Sequence, residues 1–140
     1  MPNNVPQAIR CIMNTGMMHS ILQRAIVEEN GYSTYALNEV QWCPLRIVSA
    51  FDSSIGCEHT FKIGFINEVI PAAPLPSSVV NLYQNISLAY EEFYQCGSID
   101  VILGMDIYNR LVLPGTISKT GQSDATNTIF GYVVSGSFYK

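Results

Sequence analysis

Arg10-Cys-Ile-Met-Asn-Thr-Gly-Met-Met-His-Ser-Ile-Leu22 is where the reading of this chain begins. Gln7 to Met13 reads as a first strand, with its apolar part at Cys11 to Met13. Asn14-Thr15-Gly16 follows as a tight turn, because Asn and Gly both tolerate φ > 0. A second apolar pair, Ile21 and Leu22, comes close behind. Outward from there, Ser20 to Glu29 repeats its apolar residues every three to five positions and stops at Asn30-Gly31. That pattern predicts one short helix, with glycine as its C-terminal stop.

Further along, Tyr32 to Trp42 favours extended structure, and Pro44 is expected to break it. Leu45 to Phe51 and His59 to Ile66 read as two strands of a hairpin, the second alternating apolar and polar. Its tip is Ser/Gly-rich. Val69 to Pro76 carries three prolines and cannot sit centrally in a sheet. An amphipathic helix is expected over Ser87 to Tyr94, ended by Gly97-Ser98. Val101 to Leu103 reads as a short buried strand, Gly104 as a turn, and Met105 to Leu111 as about two helical turns. Pro114-Gly115 reads as another turn, and the segment from Thr128 to Phe138 is β-rich. Residues 1–6 read as a flexible arm and 7–140 as one domain.

The chain has 140 residues, and charged residues make up only 13% of them, against about 25% in typical domains. So few charges predict an apolar surface covered in part by a partner. The net charge of −4 and the absence of a basic stripe argue against nucleic-acid binding. No apolar run reaches the roughly 18 residues of a membrane span. Met-Pro-Asn-Asn-Val-Pro lacks a secretory pattern, so an intracellular, cytoplasmic and reducing setting is expected. Cys11, Cys43, Cys57 and Cys96 show no metal-ligand spacing, with or without His19 and His59. They read as buried, reduced thiols. No cofactor or metal is expected.

The far end of the chain carries a resemblance. Ile99-Asp-Val-Ile-Leu-Gly-Met-Asp-Ile-Tyr108, then Leu113-Pro-Gly115, then Thr128-Ile-Phe-Gly-Tyr-Val-Val-Ser-Gly136 is similar to the peptidase of Pao/BEL-type retrotransposons, a retropepsin-like aspartic protease family. Asn67 to Ser77 resembles that family's proline-rich link after the flap hairpin. Thr15, Gly16 and Ser20 match the family's active-site segment. Asn14 stands where the family has its catalytic aspartate, and Met17 where it has a small residue.

The resemblance implies a mostly β fold: a closed β-barrel (an acid-protease half) with a flap hairpin and short helices. It implies a homodimer in which Asn14, Thr15 and Gly16 occupy the catalytic position, with Thr15 reaching across the dimer axis. Ala50, Phe51, Asp52, Ser53, Ser54, Ile55 and Gly56 would be the flap over an extended peptide. Gly104 and Asp106 would brace the loop near Gly16. In the family two facing carboxylates share a proton and activate a water. Asparagine has no ionisable group and cannot take that proton, so no turnover is predicted.

Three readings follow. The first is an inactive retropepsin-like domain, derived from a retrotransposon protease, that dimerises or binds extended peptides. The second is an active aspartic endopeptidase of Pao/BEL type captured as an Asn variant. The third is an unrelated small mixed β domain with a chance signature.

Overall fold

A computed structural model describes residues 8–14, 16–67, 73–75, 77–81, 83, 86, 88–90, 94–118 and 124–135. The described residues are mostly β. The elements in chain order are β1 (Cys11–Met13), β2 (Ile21–Gln23), α1 (Arg24–Asn30), β3 (Tyr35–Leu37), β4 (Val40–Val48), β5 (Gly56–Gly64), α2 (Ser77–Asn81), β6 (Val101–Leu103), α3 (Met105–Leu111), β7 (Val112–Ser118), β8 (Asp124–Thr128) and β9 (Gly131–Ser135). They form a six-stranded sheet, ordered β1-β6-β2-β5-β4-β3, and a three-stranded sheet, ordered β7-β8-β9. The chain groups into two compact units. The first comprises Met1–Ile47, Cys57–Val69 and Ser98–Arg110; the second comprises Val48–Gly56, Ile70–Gly97 and Leu111–Lys140.

In the first unit, β6 decides the sheet. Val101, Ile102 and Leu103 are all buried, as expected of a strand covered on both faces. β6 pairs parallel with β1, Cys11 to Val101 through Met13 to Leu103. On its other side it pairs antiparallel with β2, Ile21 to Ile102 and Leu22 to Val101. Two strands that are neighbours in sequence are thus held apart by a third from about 80 residues later. β2 then pairs parallel with β5, Leu22 opposite Ile63. The core of this unit is built on Leu22, Phe61, Ile99, Val101 and Ile107, all 1% exposed or less.

The expected closed barrel is not what these sheets form. Neither sheet closes among the described residues. Closure needs tilted strands with a consistent stagger, and the edge strands β1 and β3 of the larger sheet are only three residues each.

Several local expectations are corrected. Ile21 and Leu22 were expected in a helix but lie in β2, because pairing to β5 and β6 satisfies their backbone. The helix begins only at Arg24, where the Gln23 side chain accepts from the Arg24 N–H, and it ends as expected at Gly31, with φ 63°. Pro44 does not break the chain; it sits inside β4. β3 pairs with β4 only as far as Trp42, so on that side the missing N–H of Pro44 costs no ladder bond. Asn38 and Glu39 turn the β3–β4 hairpin with φ 52° and 67°, the left-handed pair that two-residue hairpins favour.

In the second unit, Tyr83, Leu88 and Ala125 form a buried cluster with Leu75, Ile86 and Tyr132 packed on it. The helix expected over Ser87 to Tyr94 is not seen at residues 88–90, where Leu88 instead bridges to Tyr132. Among the described residues of this stretch the helix is α2, one turn at Ser77–Asn81. Pro114-Gly115 is not a free turn but an irregularity within β7, where the register to β8 shifts between Val112 and Thr116. Gly115 has φ 113° there, and an edge strand at a bulge tolerates proline. The expected arm at 1–6 and most of the proline-rich link lie outside the described residues, as does Thr15.

Phe61 is fully buried in β5. Phe61→Ala is expected to cost about 3–5 kcal/mol, read as a lower urea midpoint with an unchanged slope.

Candidate functional site

The segment from Asn14 to Ser20 must connect β1 to β2 across the end of β6, and so it forms an arch. The chain leaving β6 passes directly beneath it. Three hydrogen bonds stitch arch to strand: Asn14 N–H donates to Leu103 O (2.8 Å), Met105 N–H to Met17 O (2.8 Å), and Gly104 N–H to Ser20 Oγ (2.9 Å). The passage is too tight for a side chain. A Cβ at Gly104 would lie 2.7 Å from Met17 O and 3.2 Å from the His19 carbonyl, which is why glycine stands here.

Asn14 is exposed at the start of the arch. Its Oδ1 accepts from Gly16 N–H at 2.9 Å, and its backbone O accepts from Met17 N–H at 3.1 Å. The side chain therefore closes an Asx turn on its own loop. An N–H must face an oxygen, so the amide orientation is fixed, with Oδ1 toward Gly16 and the Nδ2 donors turned away. Nothing at this position can accept a proton from water.

Ser20 is the knot at the far end of the arch, with no exposed surface. Its O accepts from Lys62 N–H at 3.0 Å. Its N–H and hydroxyl both donate to the Asp106 carboxylate, at 2.9 and 2.6 Å. Asp106 stands in the first turn of α3. The same carboxylate meets His59 Nε2 of β5 at 2.8 Å. Arg110, one helical turn beyond Asp106, donates to Glu58 O at 2.8 Å and contacts His59 Nδ1. Burial alone would raise the Asp106 carboxyl, but the two bonds from Ser20 and the contact with His59 outweigh it. The group is held below its ordinary value of 3.8.

Asn14, Gly16, Gly104 and Asp106, picked out in the sequence, are thus gathered by one arch. Ser20 was matched only as a motif residue, and His59 and Arg110 were not singled out for it. Asp106 and Arg110 are four apart on a helix and share a face, a signal the sequence does hold. His59 gives none, because its partner lies 47 residues away. His19 instead stands edge-on to Trp42, with ring centroids 5.5 Å apart.

The candidate flap residues Ala50, Phe51, Asp52, Ser53, Ser54, Ile55 and Gly56 join β4 to β5 and belong to the second unit. Ser49 N–H donates to Ile55 O at 2.9 Å, and Ile55 N–H to Asp52 O at 3.0 Å. Asp52 Oδ1 accepts from the Ser54 hydroxyl and N–H, at 2.6 and 3.0 Å, and both hold its carboxyl below the ordinary value. Phe51 is 67% exposed.

All four cysteines are free thiols, but only Cys43 is buried, while Cys11 and Cys96 are exposed. The expectation of four buried cysteines therefore holds only at Cys43: Cys57 in β5 is half-buried, and the two exposed thiols lie on an edge strand and in a loop. Among the described residues no group of three or more His, Cys, Asp or Glu side chains gathers as a metal site, and no helix is long and apolar enough to cross a membrane.

No family model, characterised protein or solved structure matches the chain.

Two outcomes test the arch. Gly104→Ala is expected to destabilise by about 1–3 kcal/mol through overpacking against backbone, measured by urea unfolding. Asp106 has a folded value below its unfolded one, so its contribution is present above the ordinary value and disappears as pH falls through the folded value. Asp106→Asn is therefore expected to lower stability at neutral pH and to shrink the loss of stability between about pH 5 and 2, followed by unfolding at several pH values.

Proposed function

We propose that this chain is a catalytically inactive, retropepsin-like domain, of retrotransposon-protease origin, that pairs with a second copy and takes up extended peptide. The observation that carries the reading is the arch. The segment Asn14-Thr15-Gly16, which in sequence resembles an aspartic-protease turn, follows the edge strand β1, which is paired with the buried strand β6. The segment that resembles the family's Leu-Gly-x-Asp runs directly beneath it, with Asn14 N–H on Leu103 O and Asp106 on Ser20. Two motifs some 90 residues apart in sequence thus meet at one loop, and a chance match to either gives no reason for them to meet.

In such a dimer two asparagines would face each other. Each amide offers donors and an acceptor, so the pair can hydrogen-bond mutually without the repulsion and desolvation that paired carboxylates carry. Thr15 would reach across the dimer axis, and Gly104 with Asp106 would brace the loop. Residues 50–56 would fold over a bound peptide, which would gain main-chain hydrogen bonds by strand addition. Water would be held at Asn14 but not activated.

One observation favours a second reading, an active endopeptidase seen as its Asn variant. The only side-chain bond that Asn14 makes among the described residues is as an acceptor from Gly16 N–H. A carboxylate accepts that bond equally well, so the turn needs no rebuilding to carry aspartate.

The deciding experiment is cleavage of a peptide library at mildly acidic pH by the unmodified chain and by Asn14→Asp, with a pepstatin-type inhibitor as control. Both proteins are expected to dimerise and neither to cleave above background. Inhibitor-sensitive cleavage by Asn14→Asp alone transfers support to the second reading. A monomer that neither cleaves nor binds peptides in either form overturns both.

A further inference from the structure

We propose that His59 is an acid-operated latch: neutral, it holds Arg110 against β5, and protonated, it releases Arg110 while keeping Asp106. The proposal does not rest on the protease reading. It rests on which ring nitrogen faces which partner. Arginine only donates hydrogen bonds and keeps its charge throughout the accessible pH range. Arg110 Nη2 lies against His59 Nδ1, so Nδ1 must present its lone pair. The one proton of the neutral ring is then on Nε2, which points at Asp106 Oδ2 at 2.8 Å. The neutral imidazole is satisfied at both ends, between a guanidinium and a carboxylate.

A second proton can only go to Nδ1. There it opposes an N–H of Arg110, donor against donor and cation against cation. The Asp106 side responds in the opposite sense, because Nε2–H to carboxylate becomes a hydrogen bond between opposite charges. Asp106 is also fixed independently by the two bonds from Ser20, so the carboxylate stays in place. Among the described residues Arg110 is otherwise held by its bond to Glu58 O, and its side chain is the part that moves.

The surroundings reinforce this sense. The groups that face His59 are Asp106 and Arg110 from α3, Arg46 from β4, which lines the same surface hollow, and Glu58 and Cys57 on β5 itself. The ring is seated edge-on against buried Phe61, 5.1 Å between centroids, so it cannot easily swing away to spare Arg110. Acid therefore acts unevenly on α3: its first turn stays tied to the arch, while Arg110 in its last turn loses the ring and keeps only its bond to Glu58 O.

Nuclear magnetic resonance on the unmodified chain tests the latch directly. Long-range proton–nitrogen spectra at neutral pH are expected to show His59 protonated on Nε2 only. Over the pH range in which the His59 ring signals themselves report gain of the second proton, the slowly exchanging guanidinium protons of Arg110 are expected to be lost in step with that protonation. The Ser20 amide signal should stay fixed over that range. In His59→Gln the Arg110 signals should no longer follow pH there. A neutral ring protonated on Nδ1, or Arg110 signals that persist through the His59 titration, overturns the proposal. Both can be read from the unmodified chain even if the variant fails to fold.

Discussion

The first unit depends on a single insertion, β6 between β1 and β2. A three-residue strand with no polar side chain, Val101-Ile102-Leu103, supplies both neighbours with their ladder. Everything at the candidate site follows from that placement. β1 and β2 run in opposite directions and are one strand-width too far apart to be joined by a two-residue turn. The connection must therefore arch over the end of β6. Because the chain leaving β6 runs under the arch, the residue there can have no side chain. Because the arch carries backbone groups away from any sheet, it needs partners from elsewhere, and Leu103, Gly104, Met105 and Asp106 provide them in sequence.

The polar network at Ser20 extends the same logic. A fully buried hydroxyl is stable only when both its donor and acceptor capacity are used. Ser20 gives its proton to Asp106 and accepts from Gly104. Asp106 in turn is shared between the arch and β5 through His59. One carboxylate thus ties a loop, a strand and a helix that are separated by dozens of residues, and its depressed ionisation reflects those bonds prevailing over burial.

How much of this the sequence displays depends on the range of the interaction. α3 was legible to the residue, because Gly104 marks its start and its apolar positions repeat with the helix. The β4–β5 hairpin was legible from alternation and from its Ser/Gly tip. Gly31 was legible as a helix stop. By contrast, Ile21-Leu22 fits a helical pattern as well as a strand, and only pairing with Ile63 and Val101 decides between them. Pro44 and Pro114 look like breakers until the neighbouring ladder is known to be missing or bulged. At the candidate site, the residue types of Asn14, Gly104 and Asp106 pointed to the arch through their motifs. The part played by His59 was hidden, since nothing local connects it to α3.

The insertion of β6 also makes this end of the sheet wait on a distant segment of the chain. Neighbouring strands lie about 4.8 Å apart, so β1 and β2, two spacings apart, cannot pair with each other across the place that β6 fills. Until Val101 to Leu103 arrives, the backbone groups lining that place have no ladder partner, and β1 has no neighbour in the sheet. The hairpin of β4 and β5 and the β2–β5 pairing involve shorter separations and can form beforehand. The pairing of β6 closes across some 80 residues of intervening chain, and such long closures slow folding far more than they lower final stability.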